Sequence, residues 1–179
     1  MKKNNLKNYE VDKDSKRGVR YVGIYYTTGM SAEERRKNGV IRMLAGIVQI
    51  VLIFSAVALN CVGTRTVYVI IPLECILFCT LYYVIGAYTF FSTEDKMEQK
   101  AYERAVENPV QITMVAVVLN IISCIGQMIV IIRNASVLSG YGDYVLLALL
   151  FGLLVLHIIM WKYQKLLFER AKPIRQEKN

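Results

Sequence analysis

The chain has 179 residues, 55% of them hydrophobic, with a formal charge of +8 and a mean hydropathy of +0.36. Soluble domains average ~45–50% apolar, so this composition points to a polytopic membrane protein. The excess cations flank apolar runs, where anionic headgroups attract each by ~1 kcal/mol, so the basic balance needs no nucleic acid to explain it.

Residues 1–39 read as an N-terminal arm. Residues 1–17 are Lys/Asn-rich with little apolar content and are expected to be disordered. From residue 18 to 28, Val19, Tyr21 and Tyr25 fall on one side of an extended chain, which suits a short strand or an aromatic segment at the headgroups. Ser31-Ala32-Glu33-Glu34 has the form of a capping box and starts a juxtamembrane helix over 31–38, with Asn38-Gly39 as its end or its joint to the first span.

Four runs are long and apolar enough to span a bilayer as helices: 40–60, 67–91, 110–132 and 144–161. In the first, Ala45, Gln49, Ala56 and Asn60 are spaced 4, 7 and 4 and share a face. The turn from Cys61 to Thr66 is short, so spans one and two form an antiparallel hairpin. Span two holds Glu74, the one acid within the long apolar runs, two residues after Pro72. A charged loop, 92–109, follows; it reads as a helix capped by Ser92 and ended by Pro109. In span three, Thr113, Ala116, Asn120, Ser123 and Gln127 are spaced 3, 4, 3 and 4, a seam of small and polar residues that faces other helices. Asn134-Ala135-Ser136 matches a glycosylation sequon by coincidence of spacing. Span four offers Ala148 and Gly152 for close helix contact, while His157 lies on the opposite side and toward the inner interface. The basic tail, 162–179, continues as helix to Lys172 before Pro173.

The expected fold is therefore an all-α, four-transmembrane-helix bundle with short cytoplasmic helices. Every Lys and Arg other than Arg65 and Arg133 falls on one side of the four spans, which places both termini and the 92–109 loop in the cytoplasm. A shift of 71 residues aligns Ile41, Met43, Ala45, Gln49 and Ile50 with Ile112, Met114, Ala116, Asn120 and Ile121, the pattern of a tandem repeat of two helical hairpins.

A carboxylate inside a bilayer costs at least ~2.5–3.5 kcal/mol on insertion scales, so Glu74 needs a proton or a partner. Gln127 lies at a similar depth, and Gln49 and Asn120 lie nearer the midplane. These four form the candidate intramembrane polar cluster, in two layers: Glu74 with Gln127, and Gln49 with Asn120. The alternative is that span two begins late, at Pro72, which leaves Glu74 in the first helical turn at the outer interface, where the dipole favours it. No catalytic residue, metal or cofactor is indicated. One histidine cannot build a multi-His site, the four cysteines lack thiolate-cluster spacing, and no HExxH, GxSxG or phosphate-cradling loop is present. The expected function is a non-catalytic scaffold or accessory subunit of a membrane complex, with the lipid bilayer and another membrane protein or a second copy as partners. The alternative is a small oligomeric proton-coupled transporter using Glu74.

Overall fold

The computed structural model describes residues 9–10, 20–21, 23–134 and 141–174. Four helices dominate it: α1 (Ala32–Ala58), α2 (Val67–Ser92), α3 (Gln99–Arg133) and α4 (Gly142–Arg170), each long and apolar enough to cross a membrane. They pack side by side in the order α1, α2, α3, α4, with α4 closing against α1. A 3₁₀ turn at Gly63–Arg65 joins α1 to α2.

The buried positions of α1 and α4 follow one rule. In α1 they are Gly39, Arg42, Gly46, Gln49, Ile53 and Ala56; in α4 they run Asp143, Leu146, Leu150, Leu153, His157, Met160, Gln164 and Leu167. Steps of three and four alternate without interruption, the spacing that keeps one stripe of a helix against its neighbours in a bundle. Ile53, Leu73, Ile76, Cys124, Leu146 and Leu150 belong to the apolar core so formed.

The ends of the bundle differ. At one end, here the turn end, lie the 3₁₀ turn and the α3–α4 connection. At the other, the arm end, three segments distant in sequence weave into an antiparallel sheet. Strand β3 (Tyr25–Thr27) is its centre, pairing with β4 (Met97–Glu98) on one side and β5 (Lys172–Ile174) on the other. The Thr27 and Thr28 hydroxyls both donate to the Asp95 carboxylate, fastening the N-terminal segment to the α2–α3 connection. Tyr26 stacks on Tyr102 with ring centroids 4.0 Å apart, above a second core of Met30, Phe90, Met97 and Leu167. Gly29, at φ +65°, supplies the left-handed turn between β3 and α1.

Several expectations are corrected. The chain is mostly helical rather than wholly so: besides the three-stranded sheet, β1 (Tyr9–Glu10) pairs with β2 (Arg20–Tyr21). Of the stretch 1–17 expected to be disordered, those two strand residues are described, and the remainder lies outside the described residues. Ser31 caps α1 as expected, accepting from the Glu34 amide at 3.2 Å. There is no separate helix over 31–38, because α1 runs through Asn38-Gly39 unbroken. Gly39 serves instead to let α2 approach, since a Cβ there would stand 3.0 Å from Phe91. Within 92–109 only the second half is helical, and Pro109 does not end that helix. It bends the hydrogen-bond register into a π-turn, Glu103–Glu107, in which the Asn108 amide reaches back five residues to the Glu103 carbonyl. The tail helix stops at Arg170, and Lys172 to Ile174 turn back as strand. The sequon, apart from Asn134, lies outside the described residues. Of the pairs aligned by the 71-residue shift, Gln49 and Asn120 are both buried, whereas Met43 is half-buried and Met114 exposed.

Candidate functional site

The polar residues of the interior occupy one phase of the three-four stripe. Arg42 and Gln49 are seven residues apart on α1, as are Asn120 and Gln127 on α3 and His157 and Gln164 on α4. Seven residues of helix are about 10.5 Å, so these pairs set successive levels along the bundle.

At the turn end the centre is Asp143, in the first turn of α4 and 3% exposed. Its Oδ1 accepts from the Gly63 amide at 2.7 Å and its Oδ2 from the Val62 amide at 3.3 Å. The Gln127 amide donates to both the Asp143 carboxylate and the Asp143 carbonyl, each at 3.0 Å. One side chain thus ties the α1–α2 turn to α3 and α4. Gly63 is required by that closeness, because a Cβ there would lie 1.9 Å from Gln127 Oε1.

At the middle level, Asn120 Nδ2 meets His157 Nδ1 at 3.4 Å, and Cys124 Sγ faces Asn120 Oδ1 at 3.8 Å. For His157 Nδ1 to accept, its proton must sit on Nε2, which has no partner among the described residues. Gln49 is also buried, and its Nε2 is likewise unpartnered.

At the arm end sits Arg42, wholly buried. Its Nη2 donates to the Ala105 carbonyl at 2.7 Å, and its guanidinium lies 4.8 Å from the centroid of the Phe90 ring. The sequence dictates that acceptor. In a regular helix the Ala105 carbonyl would receive the amide of residue 109, and Pro109 has none. The Ala105 carbonyl, buried in the π-turn and without that amide, is the one Arg42 takes. Close approach of α2 permits the arrangement: a Cβ on Gly86 would stand 2.7 Å from the Arg104 carbonyl and from Pro109 Cγ. Tyr83 completes the level, accepting from Gln164 Nε2 at 3.4 Å.

The four residues singled out from sequence are placed as follows. Gln49, Asn120 and Gln127 are buried in the interior, and Glu74 is not with them. Gln127 spends its amide on Asp143, and Asn120 pairs with His157; neither of the two layers drawn from sequence forms as drawn. Glu74 is exposed, on the outward side of α2 between Ile71 and Phe78, which are themselves 52% and 71% exposed. It makes no hydrogen bond or ion pair with any described residue. Ala148 and Gly152 also face outward, and nothing lies within 4 Å of a Cβ placed on Gly152. Arg42, Tyr83, Asp143, His157 and Gln164 are the interior groups that sequence reasoning passed over. The seven-residue steps through Arg42 and Gln49, and through Leu150, His157 and Gln164, are the signal that would have found most of them.

No protein-family model, curated protein or solved structure matches this chain.

Proposed function

We propose that this chain is an integral membrane protein of four spans, its arm end in the cytoplasm, acting as a non-catalytic accessory or scaffold subunit of a membrane complex. The observation that carries this is Glu74. A carboxylate on an apolar outward face, unpartnered among the described residues, is costly against lipid and favourable against another helix that offers it a cation or a hydrogen-bond donor. The interior polar groups support the same reading. Asp143, Gln127, Asn120, His157 and Arg42 bind one another or backbone between helices, the use expected of polar residues that hold a bundle together. The sheet at the arm end adds a folded cytoplasmic platform, and the cation distribution supports placing that end inside.

The test is isolation of the tagged chain from its own membrane in mild detergent. A second membrane protein should co-purify in fixed ratio, and Glu74→Leu should release it while leaving the chain folded. Proton-coupled flux in proteoliposomes of the chain alone, abolished by Glu74→Gln, would replace this reading with the transporter. Cysteines placed at Arg65 and Lys100 should label from opposite sides of the membrane; labelling from one side would refute the four-span topology.

A further inference from the structure

The face of α2 that carries Glu74 is spaced like a helix-packing surface. Ile71, Glu74, Phe78, Leu81 and Ile85 are all exposed and are separated by 3, 4, 3 and 4, so they form one stripe down the outside of the bundle. A second helix can lie along such a stripe as the partner helix of a coiled coil does. Glu74 is its one charged member. It stands between five and six residues from the centre of α2 toward the turn end, about 8 Å, whereas the hydrocarbon extends ~15 Å to either side of its midplane. A cation on the covering helix would meet Glu74 where little water screens the pair.

Heights along the bundle decide whether a second copy could supply that cation. The Ser123 hydroxyl donates to the Val69 carbonyl at 3.4 Å, so Glu74, five residues further along α2, is level with Val118 on the antiparallel α3. Gly46 packs on Tyr83, and Gln164 Nε2 donates to the Tyr83 hydroxyl at 3.4 Å. Glu74, nine residues before Tyr83, is therefore level with Ser55 on the antiparallel α1 and with Val155 on the parallel α4. Among the described residues no Lys or Arg stands at that height. Lys162 on α4 and Arg65 ahead of α2 come nearest, one toward either end, each about 10 Å or more away along the axis. A two-fold axis along the membrane normal leaves every residue at its own depth. A second copy packed on this stripe would thus bring no cation to Glu74, and stripe against stripe it would set carboxylate against carboxylate.

We infer that the outward stripe of α2 is the docking face for a transmembrane helix of a different protein, one that carries a Lys or Arg about 8 Å from the bilayer midplane on the turn-end side. The inference rests on the accessory-subunit reading and names the chemistry of its partner. A lone cation in the partner's span is costly against lipid just as Glu74 is, so pairing relieves both chains at once and favours the assembled state.

The full chain, carrying a donor fluorophore, is reconstituted in phosphatidylcholine vesicles with synthetic transmembrane helices of Leu and Ala that carry an acceptor. Three such helices differ at one position, set at the depth of Glu74: Lys, Gln or Leu. Energy transfer should show the Lys helix bound about tenfold or more tighter than the Leu helix, a preference lost in Glu74→Gln and in Glu74→Leu. Because Glu74 is exposed and makes no hydrogen bond or ion pair with any described residue, both variants should melt as the parent does. A Lys helix bound no better than the Leu helix, a preference that survives Glu74→Leu, or a Gln helix bound as tightly as the Lys helix would each overturn the cationic partner. So would energy transfer between copies of the chain that Glu74→Leu abolishes, which would give the face to a second copy. Failure here is distinct from failure of the accessory role: a native protein that still co-purifies in fixed ratio and is released by Glu74→Leu would keep that role and overturn the cation alone.

Discussion

Replacing Asp143 by alanine isolates the clamp at the turn end. The substitution strips the acceptor from the Gly63 amide, which is buried, and from the Val62 amide, which is near enough to the surface for water to take over. Gln127 loses one of its two acceptors and keeps the Asp143 carbonyl. Hydrogen bonds to a charged group contribute about 1.5–3 kcal/mol, and a buried donor left bare costs about 1–3 kcal/mol. One full loss and one partial loss give about 2–4 kcal/mol. At roughly 2–4 °C per kcal/mol for a chain of this size, the melting temperature in detergent should fall on the order of 10 °C. Asp143→Asn keeps a carbonyl oxygen where Oδ1 accepts from Gly63 and Gln127, so it should cost only about 1 kcal/mol. In a double-mutant cycle with Gln127→Ala the losses should be non-additive by at least ~0.5 kcal/mol, because the two side chains share one bond. Melting of Asp143→Ala within about 1 °C of the parent would refute the clamp. An asparagine as damaging as the alanine would show that charge matters there, and that the placement of acceptors does not.

Three further outcomes follow from other contacts. Gly63→Ala drives a methyl into Gln127 Oε1 and should destabilise by about 1–3 kcal/mol, while Gly152→Ala, with open space around it, should be neutral or stabilising by up to about 1 kcal/mol; melting temperatures in detergent compare the two. Pro109→Ala supplies the missing amide to the Ala105 carbonyl and so competes with Arg42; where removing a proline from a helix interior ordinarily gains stability, here the melting temperature should fall by the equivalent of about 1–3 kcal/mol. Ending the chain at Ala171 removes β5 from the sheet, so hydrogen exchange should accelerate at Tyr25–Thr27 and stay unchanged in the middle of α1 to α4.

The four long helices and their hairpin pairing were legible because apolar run length is read directly from the chain, and the bounds of α2 and of the apolar part of α3 came within a residue or two. The arm end was legible only in part. A short strand was one of the two readings of 18–28, where β3 lies, but its partners β4 and β5 lie more than 70 residues from it in the chain and are two or three residues long, and no local pattern marks them. The π-turn was hidden for a related reason. Pro109 announces a missing donor, but whether the helix stops or continues depends on a third party, Arg42 on α1, that can take up the freed carbonyl. Arg42 itself read as one more cation at a span's end, because nothing local distinguishes a guanidinium that snorkels to water from one drawn inward.

Which residues face inward depended on whether each helix carries a contrast between its faces. In α3 the polar residues Thr113, Asn120, Ser123 and Gln127 break an otherwise apolar surface on one side only, so its phase could be read from spacing. In α2 both sides are apolar: Leu73 and Ile76 are buried, Ile71 and Phe78 are exposed, and nothing in hydrophobicity separates the two pairs. Glu74 was the one acid there, and turning it inward was the wrong choice, since Leu73 beside it is the residue that packs and the buried polar positions of α2 are Thr80 and Tyr83. In α4 two stripes competed, Ala148 with Gly152 against Asp143, His157 and Gln164. The polar stripe prevailed. Small residues gain only closeness when they face a neighbour and lose little when they do not, whereas a carboxylate, an imidazole and an amide turned outward would each be left without a partner over an apolar surface. Where small and polar stripes of one helix point in opposite directions, the polar stripe sets the phase. A lone acid such as Glu74, set against no stripe of its own, carries no such information about phase, and on the function proposed above its partner is sought outside the chain.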